Sequence, residues 1–301
     1  MAAEQQTCVV DCLVVVGTGF MGASIAKAAK QRGVAGQVIG VDPKEAANAL
    51  AAGCLDKALA GVDALKGVCP TGPHSIAVVV ASPVKTFEQV FAQLSNTFSG
   101  ERAESLAWIT DIGSTKAGVL RATKASLLAH LHRFVSSHPM AGSEKQGALH
   151  ARDDLLVGAR VLVSPLTESA ASTVRDVESF WLALGAQPSP LPIQDHDDLL
   201  ASISHLPHVL AFALAGALSQ SPLAVAAQAL HGGGLRDTTR IAGSSPELWA
   251  DIFLDNREAL LASWSEWSLQ LQAMHQALER SDRDLLIELL SAASHWRRGF
   301  Q

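Results

Sequence analysis

The segment LVVVGTGFMG, residues 13–22, decides the fold of this 301-residue chain. Its apolar start predicts a buried strand, three glycines follow with the spacing G-x-G-x-x-G, and residues 23–30 predict a helix. The first glycine permits a tight turn, the second lets a pyrophosphate approach the backbone, and the third lets the helix pack on the strand. Free N–H groups at the start of the helix would bind phosphate oxygens. The predicted dinucleotide site contains Gly17, Gly19, Phe20, Met21 and Gly22.

A second predicted strand, residues 38–42, ends in Asp42, 20 residues after Gly22. A carboxylate at this place in a Rossmann-type unit accepts a hydrogen bond from the ribose 2′-hydroxyl of NAD. The same carboxylate repels the 2′-phosphate of NADP, and the nearby Lys44 weakens that repulsion. We therefore predict NAD as the cofactor and leave NADP open. The alternative is a strand-to-helix turn that binds nothing.

Composition excludes several classes of protein. The net charge is −6 and no basic stripe occurs, which argues against a nucleic-acid partner. We expect no apolar run to reach the length of a membrane span, and the polar N-terminus lacks the order of a signal peptide. The cysteines have neither metal-ligand nor disulfide spacing, so we expect reduced thiols, no metal site and a cytoplasmic protein.

Further apolar segments alternate with helical ones along the first two thirds of the chain. This alternation predicts an α/β fold with a doubly wound, mostly parallel sheet. The Pro-rich segment 187–192 is interpreted as the domain boundary, with a dinucleotide-binding domain at 1–193 and a helical domain at 194–301. The additional predicted strands are residues 75–81, 106–111, 133–137 and 159–164.

The helical domain contains a segment, residues 199–218, that is apolar on nearly every side. A helix of this kind is buried all round. In a domain of this size such burial predicts a partner subunit, and therefore a homodimer formed by an all-α dimerisation domain. The alternative is a monomeric helical bundle around one central helix.

Polar residues follow several predicted strands, at the sheet edge where open parallel sheets bind ligands. Ser82 and Pro83 follow one strand and are assigned to the cofactor site. Ser114 and His138 follow the next two, and Pro139 holds His138 in an extended conformation. An imidazole is a suitable base for an alcohol, and a serine hydroxyl can orient it. This layout supports proton transfer to His138 as a hydride leaves for the cofactor.

Two histidines, His205 and His208, lie three residues apart in the helical domain. They share a helical face if Pro207 kinks the helix instead of ending it. Two histidines without a third ligand make a poor zinc site. The alternative is a pair of core or interface histidines.

The glycines at 232–234 form a predicted turn before a short helix that carries Arg236 and Arg240. An arginine here could hold a substrate carboxylate through two hydrogen bonds. The alternative is a salt bridge to Asp237 or Asp251.

Together these motifs resemble the prephenate/arogenate (cyclohexadienyl) dehydrogenases of tyrosine biosynthesis. The resemblance runs from Leu13 to about Ser268. The glycine turn is common to many families, whereas the order of the other motifs is specific. The segments that carry it are VGTGFMG at 16–22, DIGSTK at 111–116, SHPMAGSE at 137–144, SHLPHVLAF at 204–212, and RDTTRIA at 236–242 with WADIF at 249–253.

The resemblance implies an NAD-dependent oxidoreductase that converts prephenate to 4-hydroxyphenylpyruvate, arogenate to tyrosine, or both. His138 corresponds to the histidine that accepts the proton of the ring hydroxyl, and Ser114 to the serine that bonds this hydroxyl and the histidine. Arg240 corresponds to the arginine that binds a substrate carboxylate. The family further implies a second active-site histidine at His208 and pocket residues at Ser143, Glu144 and Trp249.

The dinucleotide fold starts close to the first residue and the sequence ends soon after its last predicted helices, so we expect neither a preceding chorismate mutase domain nor a following regulatory domain. Two other functions stay open at this point. Another NAD(P)-dependent hydroxy-acid dehydrogenase would be expected to supply a lysine base from the second domain, and no lysine follows Lys145. An NAD-binding sensor without turnover would not need Ser114, His138 and Arg240, which are all present.

Overall fold

The structure, a computed structural model, describes residues 10–142 and 145–300. Ser143 and Glu144, two of the predicted pocket residues, lie outside the described residues. Within the described residues, eight strands form one sheet with the order β3-β2-β1-β4-β5-β6-β7-β8. They are β1 Val10–Val16, β2 Ala35–Val41, β3 Lys57–Leu59, β4 Ile76–Val80, β5 Leu106–Asp111, β6 Phe134–Pro139, β7 Arg160–Pro165 and β8 Gln187–Pro190.

The strand order reverses at β1, which pairs with β2 on one side and β4 on the other. At such a switch point the loops after the two strands diverge and leave a crevice at their carboxyl ends. Neighbouring strands are parallel except β6 and β7, which are antiparallel. The predicted doubly wound, mostly parallel sheet is therefore confirmed.

Five α-helices cover the two faces of the sheet. Apolar residues of α1 and α5 pack with one set of sheet side chains, and those of α3 and α4 pack with the opposite set. The apolar strands are buried on both faces, as expected of a parallel sheet between helical layers. The helices are α1 Phe20–Gln31, α2 Ala46–Ala51, α3 Phe87–Thr97, α4 Ala117–Ser126 and α5 Ala171–Ala183.

The Pro-rich segment 187–192, which we interpreted as the domain boundary, begins with strand β8, a strand that the sequence did not predict. Prolines cannot donate to a sheet, but an edge strand needs donors on one side only. Strand β8 pairs with β7 and ends the strand order, which explains how Pro188 and Pro190 are tolerated. The next helix begins at Ile193.

The remainder of the described chain is helical, as predicted. A short π-helical turn, Ala201–His205, joins the first two helices into one continuous stretch. The helices are α6 Ile193–Leu200, α7 Leu206–Ser219, α8 Ala224–Leu230, α9 Gly233–Thr239, α10 Pro246–Asp255, α11 Arg257–Glu279 and α12 Arg283–Arg298.

Pro207 does not end the helix. Proline removes one backbone donor and crowds the preceding turn, and the π-helical turn directly before α7 accommodates this disturbance. The chain therefore stays helical through His205 and His208, and both side chains line one cavity.

Helix α7 is not buried all round within one chain. Only Leu206 and Ala211 of its 14 residues are buried, and Leu214 is exposed to 39%. The described part of a single chain therefore does not cover this helix, and the expectation that a partner subunit covers the rest stays a prediction. Large apolar side chains are also exposed on α11 and α12, among them Trp264, Leu269 and Leu290.

The continuous stretch Ile193–Ser219 is long and apolar enough to cross a membrane, judged by length and composition alone. This finding corrects the statement that no apolar run reaches that length. His196, near the start of the stretch, bonds to His138 of the sheet domain, and the adjacent Asp197 bonds to the first residues of α4. In this structure the stretch therefore packs against the sheet domain.

One buried cation holds two strand ends together. Lys116 is 1% exposed, and its Nζ lies 2.8 Å from Asp111 Oδ2. The same ammonium donates to the carbonyl oxygens of Gly113 at 2.8 Å and Ser137 at 2.7 Å. Since Gly113 and Ser137 directly precede Ser114 and His138, Lys116 holds together the two backbone segments that carry these polar residues.

We expect Gly22→Ala to destabilise the fold. A Cβ at Gly22 would lie 1.9 Å from the carbonyl oxygen of Gly17, where α1 packs on the turn. Overpacking of this kind should lower the free energy of unfolding by about 1–3 kcal/mol. Gly61→Ala is the matched control, because no atom lies within 4 Å of its added Cβ. Equal denaturation midpoints for both variants would contradict the proposed packing.

We expect Lys116→Met to destabilise the fold more than Gly22→Ala does, because it leaves the Asp111 carboxylate buried without its cation. The free energy of unfolding should fall by roughly 3–5 kcal/mol. The double variant Asp111→Asn/Lys116→Met removes both charges and should recover part of this loss. Chemical denaturation gives the free energy of unfolding of the parent, of Lys116→Met and of the double variant. If Lys116→Met were as stable as the parent, the ion pair would not contribute to stability.

Candidate functional site

A cavity of about 1150 Å³ lies at the carboxyl ends of the strands, between the sheet and the helical domain. All thirteen predicted site residues that the structure describes line it. They are Gly17, Gly19, Phe20, Met21, Gly22, Asp42, Ser82, Pro83, Ser114, His138, His208, Arg240 and Trp249.

The glycine turn leaves room for a phosphate group. Gly17 has a φ of +91°, which favours glycine, and its added Cβ would lie 2.4 Å from the backbone nitrogen of Ser82. Gly19 caps the start of α1, and no protein atom lies within 4 Å of a Cβ built there. The free N–H groups of α1 therefore face open space, as pyrophosphate binding requires.

Asp42 is held rigidly at the end of β2. Its Oδ2 accepts a hydrogen bond of 3.0 Å from the backbone N–H of Thr18. Its Oδ1 accepts from the backbone N–H groups of Lys44 at 2.8 Å and Glu45 at 3.0 Å. The carboxylate is thus tied to the glycine turn and lines the cavity, where a ribose hydroxyl could reach it. These residues fit a dinucleotide.

His138 occupies the end of β6 and is 8% exposed. Its Nδ1 lies 2.9 Å from Nε2 of His196, whose Nδ1 lies 2.8 Å from Oδ1 of Asp197. Sequence reasoning missed His196 and Asp197, although an adjacent histidine and aspartate before an apolar helix were a usable signal. The structure thus adds a chain of two imidazoles and a carboxylate to the predicted base.

Asp197 also caps the helix that follows Ser114. Its Oδ1 accepts from the backbone N–H of Lys116 and its Oδ2 from that of Ala117, each at 2.7 Å. Burial alone would raise the pKa of Asp197, but the hydrogen bonds from His196 and from these backbone groups lower it. The side chain is therefore a carboxylate at neutral pH.

The pKa of His138 lies well below the usual histidine value. Burial is the main cause, and the positive charge of Lys116 acts in the same direction, followed by those of His196 and His205 when protonated. His138 is consequently neutral at physiological pH and able to accept a proton.

The helical domain contributes two more histidines to the cavity wall. His208 stacks on Trp249 with ring centroids 3.4 Å apart, and its Nδ1 lies 2.8 Å from the carbonyl oxygen of Ser204. Nδ1 is therefore the donor and Nε2 is the free acceptor. Burial lowers the pKa of His205 to about 4, and its Nδ1 accepts from Asn256 at 3.0 Å. The neutral ring of His205 thus carries its proton on Nε2.

Arg240 directly follows α9, which starts at Gly233 and ends at Thr239. The glycine turn before the helix is therefore shorter than predicted, and Arg240 opens a separate 3₁₀ turn. Within the part of the chain that the structure describes, no carboxylate pairs with Arg240. Asp251 pairs with Lys85 at 2.7 Å, and Asp237 lies 4.0 Å from Arg236. The exposed guanidinium is left available at the cavity wall.

Comparison with known proteins gives consistent matches over both domains. The family model described as "Prephenate dehydrogenase, nucleotide-binding domain" matches residues 25–189, and "Prephenate dehydrogenase, dimerization domain" matches residues 192–292. The prephenate dehydrogenase of Bacillus subtilis (strain 168) is 30% identical over 293 residues, covering 96% of this chain and 76% of that protein.

Solved structures agree with this result. The prephenate dehydrogenase from A. aeolicus, crystallised with hydroxyphenyl propionate and NAD+, superimposes with a TM-score of 0.85 at 30% identity, covering 97% of this chain and 99% of that one. Synechocystis arogenate dehydrogenase gives a TM-score of 0.73 at 26% identity, covering 96% of this chain and 100% of that one. With both domain models matched in order, the chain belongs to the prephenate dehydrogenase family.

Proposed function

We propose that this protein is an NAD-dependent dehydrogenase of tyrosine biosynthesis that oxidises and decarboxylates prephenate, arogenate or both. One observation carries the proposal: a buried, neutral His138 shares a cavity with the glycine turn and with Arg240, which pairs with no carboxylate of residues 10–142 and 145–300. The relatives named for prephenate and arogenate support the substrate class, and the NAD+ complex of the A. aeolicus enzyme supports the cofactor.

The residues that line the cavity divide into a group that would hold the cofactor and a group that would bind the substrate. The glycine turn, the start of α1, Asp42, Ser82 and Pro83 would hold the dinucleotide. When bound, NAD accepts the hydride that leaves the carbinol carbon of the substrate.

The protein itself must orient the substrate and accept one proton. His138 takes the proton from the ring hydroxyl, and Ser114 orients that hydroxyl from the end of β5. Arg240 binds a substrate carboxylate, and His208 with Trp249 forms the wall of the pocket. Ser143 and Glu144 are assigned to this pocket from the family resemblance alone.

Loss of hydride and proton leaves a ring ketone. The bond between the ring and its carboxylate then breaks, carbon dioxide leaves, and the electron pair of that bond enters the ring. The ketone oxygen takes up a proton and becomes the phenol hydroxyl. Formation of the aromatic ring makes the sequence effectively irreversible.

We further propose that two copies associate through the helical domain, residues 194–301, with 1–193 forming the dinucleotide domain. The apolar side chains exposed on α7, α11 and α12 support a partner surface of this kind. The matched dimerisation-domain model supports it as well. The buried free thiols Cys12, Cys54 and Cys69 are consistent with a cytoplasmic enzyme.

The absorbance of reduced nicotinamide tests this function directly. Mixing the protein with NAD and prephenate, and separately with NAD and arogenate, should give reduced cofactor together with carbon dioxide. Turnover of 3-hydroxy acids instead would favour the other dehydrogenase class. Cofactor binding without turnover of any of these substrates would favour a sensor.

We expect a preference for NAD over NADP, because the fixed carboxylate of Asp42 repels a 2′-phosphate. Asp42→Ser should raise the ratio of kcat/KM for NADP to that for NAD by roughly tenfold or more, equivalent to about 1.4 kcal/mol. Lys44→Ala, which removes the neighbouring positive charge, should change the ratio in the opposite direction. Equal or better efficiency with NADP in the parent protein would contradict this role of Asp42.

We expect Arg240→Ala to weaken substrate binding specifically. Loss of a carboxylate partner in a closed pocket should cost roughly 2–5 kcal/mol. The KM for prephenate should therefore rise strongly, while the KM for NAD changes little. Arg236→Ala is the matched control, because its exposed side chain lies outside the cavity lining. Similar kinetics for both variants would rule out the carboxylate contact.

We expect the acid limb of the pH profile of kcat/KM to lie below pH 6.5. Protonated His138 cannot act as a base, and burial lowers its pKa, so activity is lost only at lower pH. His138→Asn keeps polar contacts without basicity and should lower kcat by about 10²–10⁴-fold while NAD still binds. A variant that retains most of its kcat would mean that another group, first of all His208, is the base.

A further inference from the structure

We infer that His196 and Asp197 are positioning residues that fix which nitrogen of His138 accepts the proton and that stabilise the charge formed there. The inference rests on the proposed function, in which His138 is the base. It adds a pair of residues from the helical domain to the machinery of a base that belongs to the sheet domain.

The direction of each hydrogen bond follows from the carboxylate. Asp197 accepts two backbone N–H bonds, so its oxygens act only as acceptors. His196 must then carry its proton on Nδ1, 2.8 Å from Asp197, which leaves the lone pair of a neutral ring on Nε2. His138 donates from Nδ1 to that lone pair across 2.9 Å. The unprotonated nitrogen of His138 is therefore Nε2.

The surroundings of His138 make this arrangement important for proton transfer. Accepting the proton creates a positive charge on a ring that is 8% exposed. Lys116 opposes that charge, and neutral His205 and His196 do not offset it. Asp111 is engaged with Lys116 at 2.8 Å. Asp197 is the anion connected to His138 by hydrogen bonds, and it acts through His196.

The same carboxylate also orients the serine. Asp197 caps α4 at Lys116 and Ala117, directly after the segment that carries Ser114. Asn256 holds the backbone of Asp197 by a 2.7 Å hydrogen bond to its carbonyl oxygen. Proton acceptor and orienting hydroxyl are thus both fixed from the helical domain.

The test compares His196→Phe, His196→Gln and Asp197→Asn with the parent enzyme. His196→Phe keeps a ring but removes both nitrogens, and we expect kcat to fall by roughly 10–100-fold, the loss typical of residues that orient a metal-binding histidine through a hydrogen bond. His196→Gln keeps one donor and one acceptor and should retain more activity. The KM values for NAD and substrate should change much less than kcat.

The pH profile separates charge stabilisation from a structural role. Without the negative charge of Asp197, protonation of His138 is less favourable, so Asp197→Asn should shift the acid limb to lower pH. Asp198→Asn is the matched control, because it removes the same charge from an exposed neighbour on α6. An unshifted limb in Asp197→Asn, or equal shifts in both variants, would overturn the inference.

The inference and the proposed function can fail separately. If the parent protein turns over neither prephenate nor arogenate, the proposed function fails. An NMR titration of His138 in the ligand-free protein needs no substrate. It should show a lower pKa in Asp197→Asn than in the parent and in Asp198→Asn, and an unchanged pKa would overturn the inference. Thermal denaturation of each variant verifies that it is folded.

Discussion

The carboxylate of Asp197 is the contact on which the arrangement of the active site depends. It lies on the first helix of the helical domain, yet its hydrogen-bond partners include the backbone N–H groups at the start of α4 in the sheet domain. Through His196 it also reaches His138 at the end of β6. A partly buried carboxylate needs hydrogen-bond partners to offset its lost hydration, and here three N–H groups bond to Asp197. The orientation of the two domains is therefore coupled to the geometry of the base.

Two opposite charges define the electrostatic state of His138. Burial is the main reason that the resting ring is neutral, and the positive charge of Lys116 further disfavours a positive imidazole. Asp197 stands on the other side of His196 and favours the charge that forms during proton transfer. The base is thus unprotonated before the reaction and stabilised once it has accepted the proton. The charged groups of Lys116 and Asp197 are both engaged in hydrogen bonds within the protein. Neither residue lines the cavity.

The features predicted correctly from sequence depend on local patterns. The glycine turn, the acid at the end of β2 and the placement of Ser114 and His138 at the carboxyl ends of strands all follow from short segments, although β6 extends through His138 and ends at Pro139. The link between His138 and His196 joins residues 58 positions apart, and no local pattern specifies it. Strand β8 was not predicted, because prolines argue against a strand unless the strand is known to lie at the edge of a sheet. The apolar surface of α7 predicts that the helix is covered, but apolar periodicity does not tell how much of that cover comes from its own chain and how much from another one.

Nitrogen-15 NMR of histidine-labelled protein in the neutral pH range tests the central claim most directly, because the chemical shift distinguishes protonated from unprotonated ring nitrogens. The account predicts that His138 is neutral with its proton on Nδ1, and that His196 is also neutral with its proton on Nδ1. Assignment by comparison with His138→Asn and His196→Gln identifies the two rings. A neutral His138 with its proton on Nε2, or a His138 protonated on both nitrogens at neutral pH, would contradict the account.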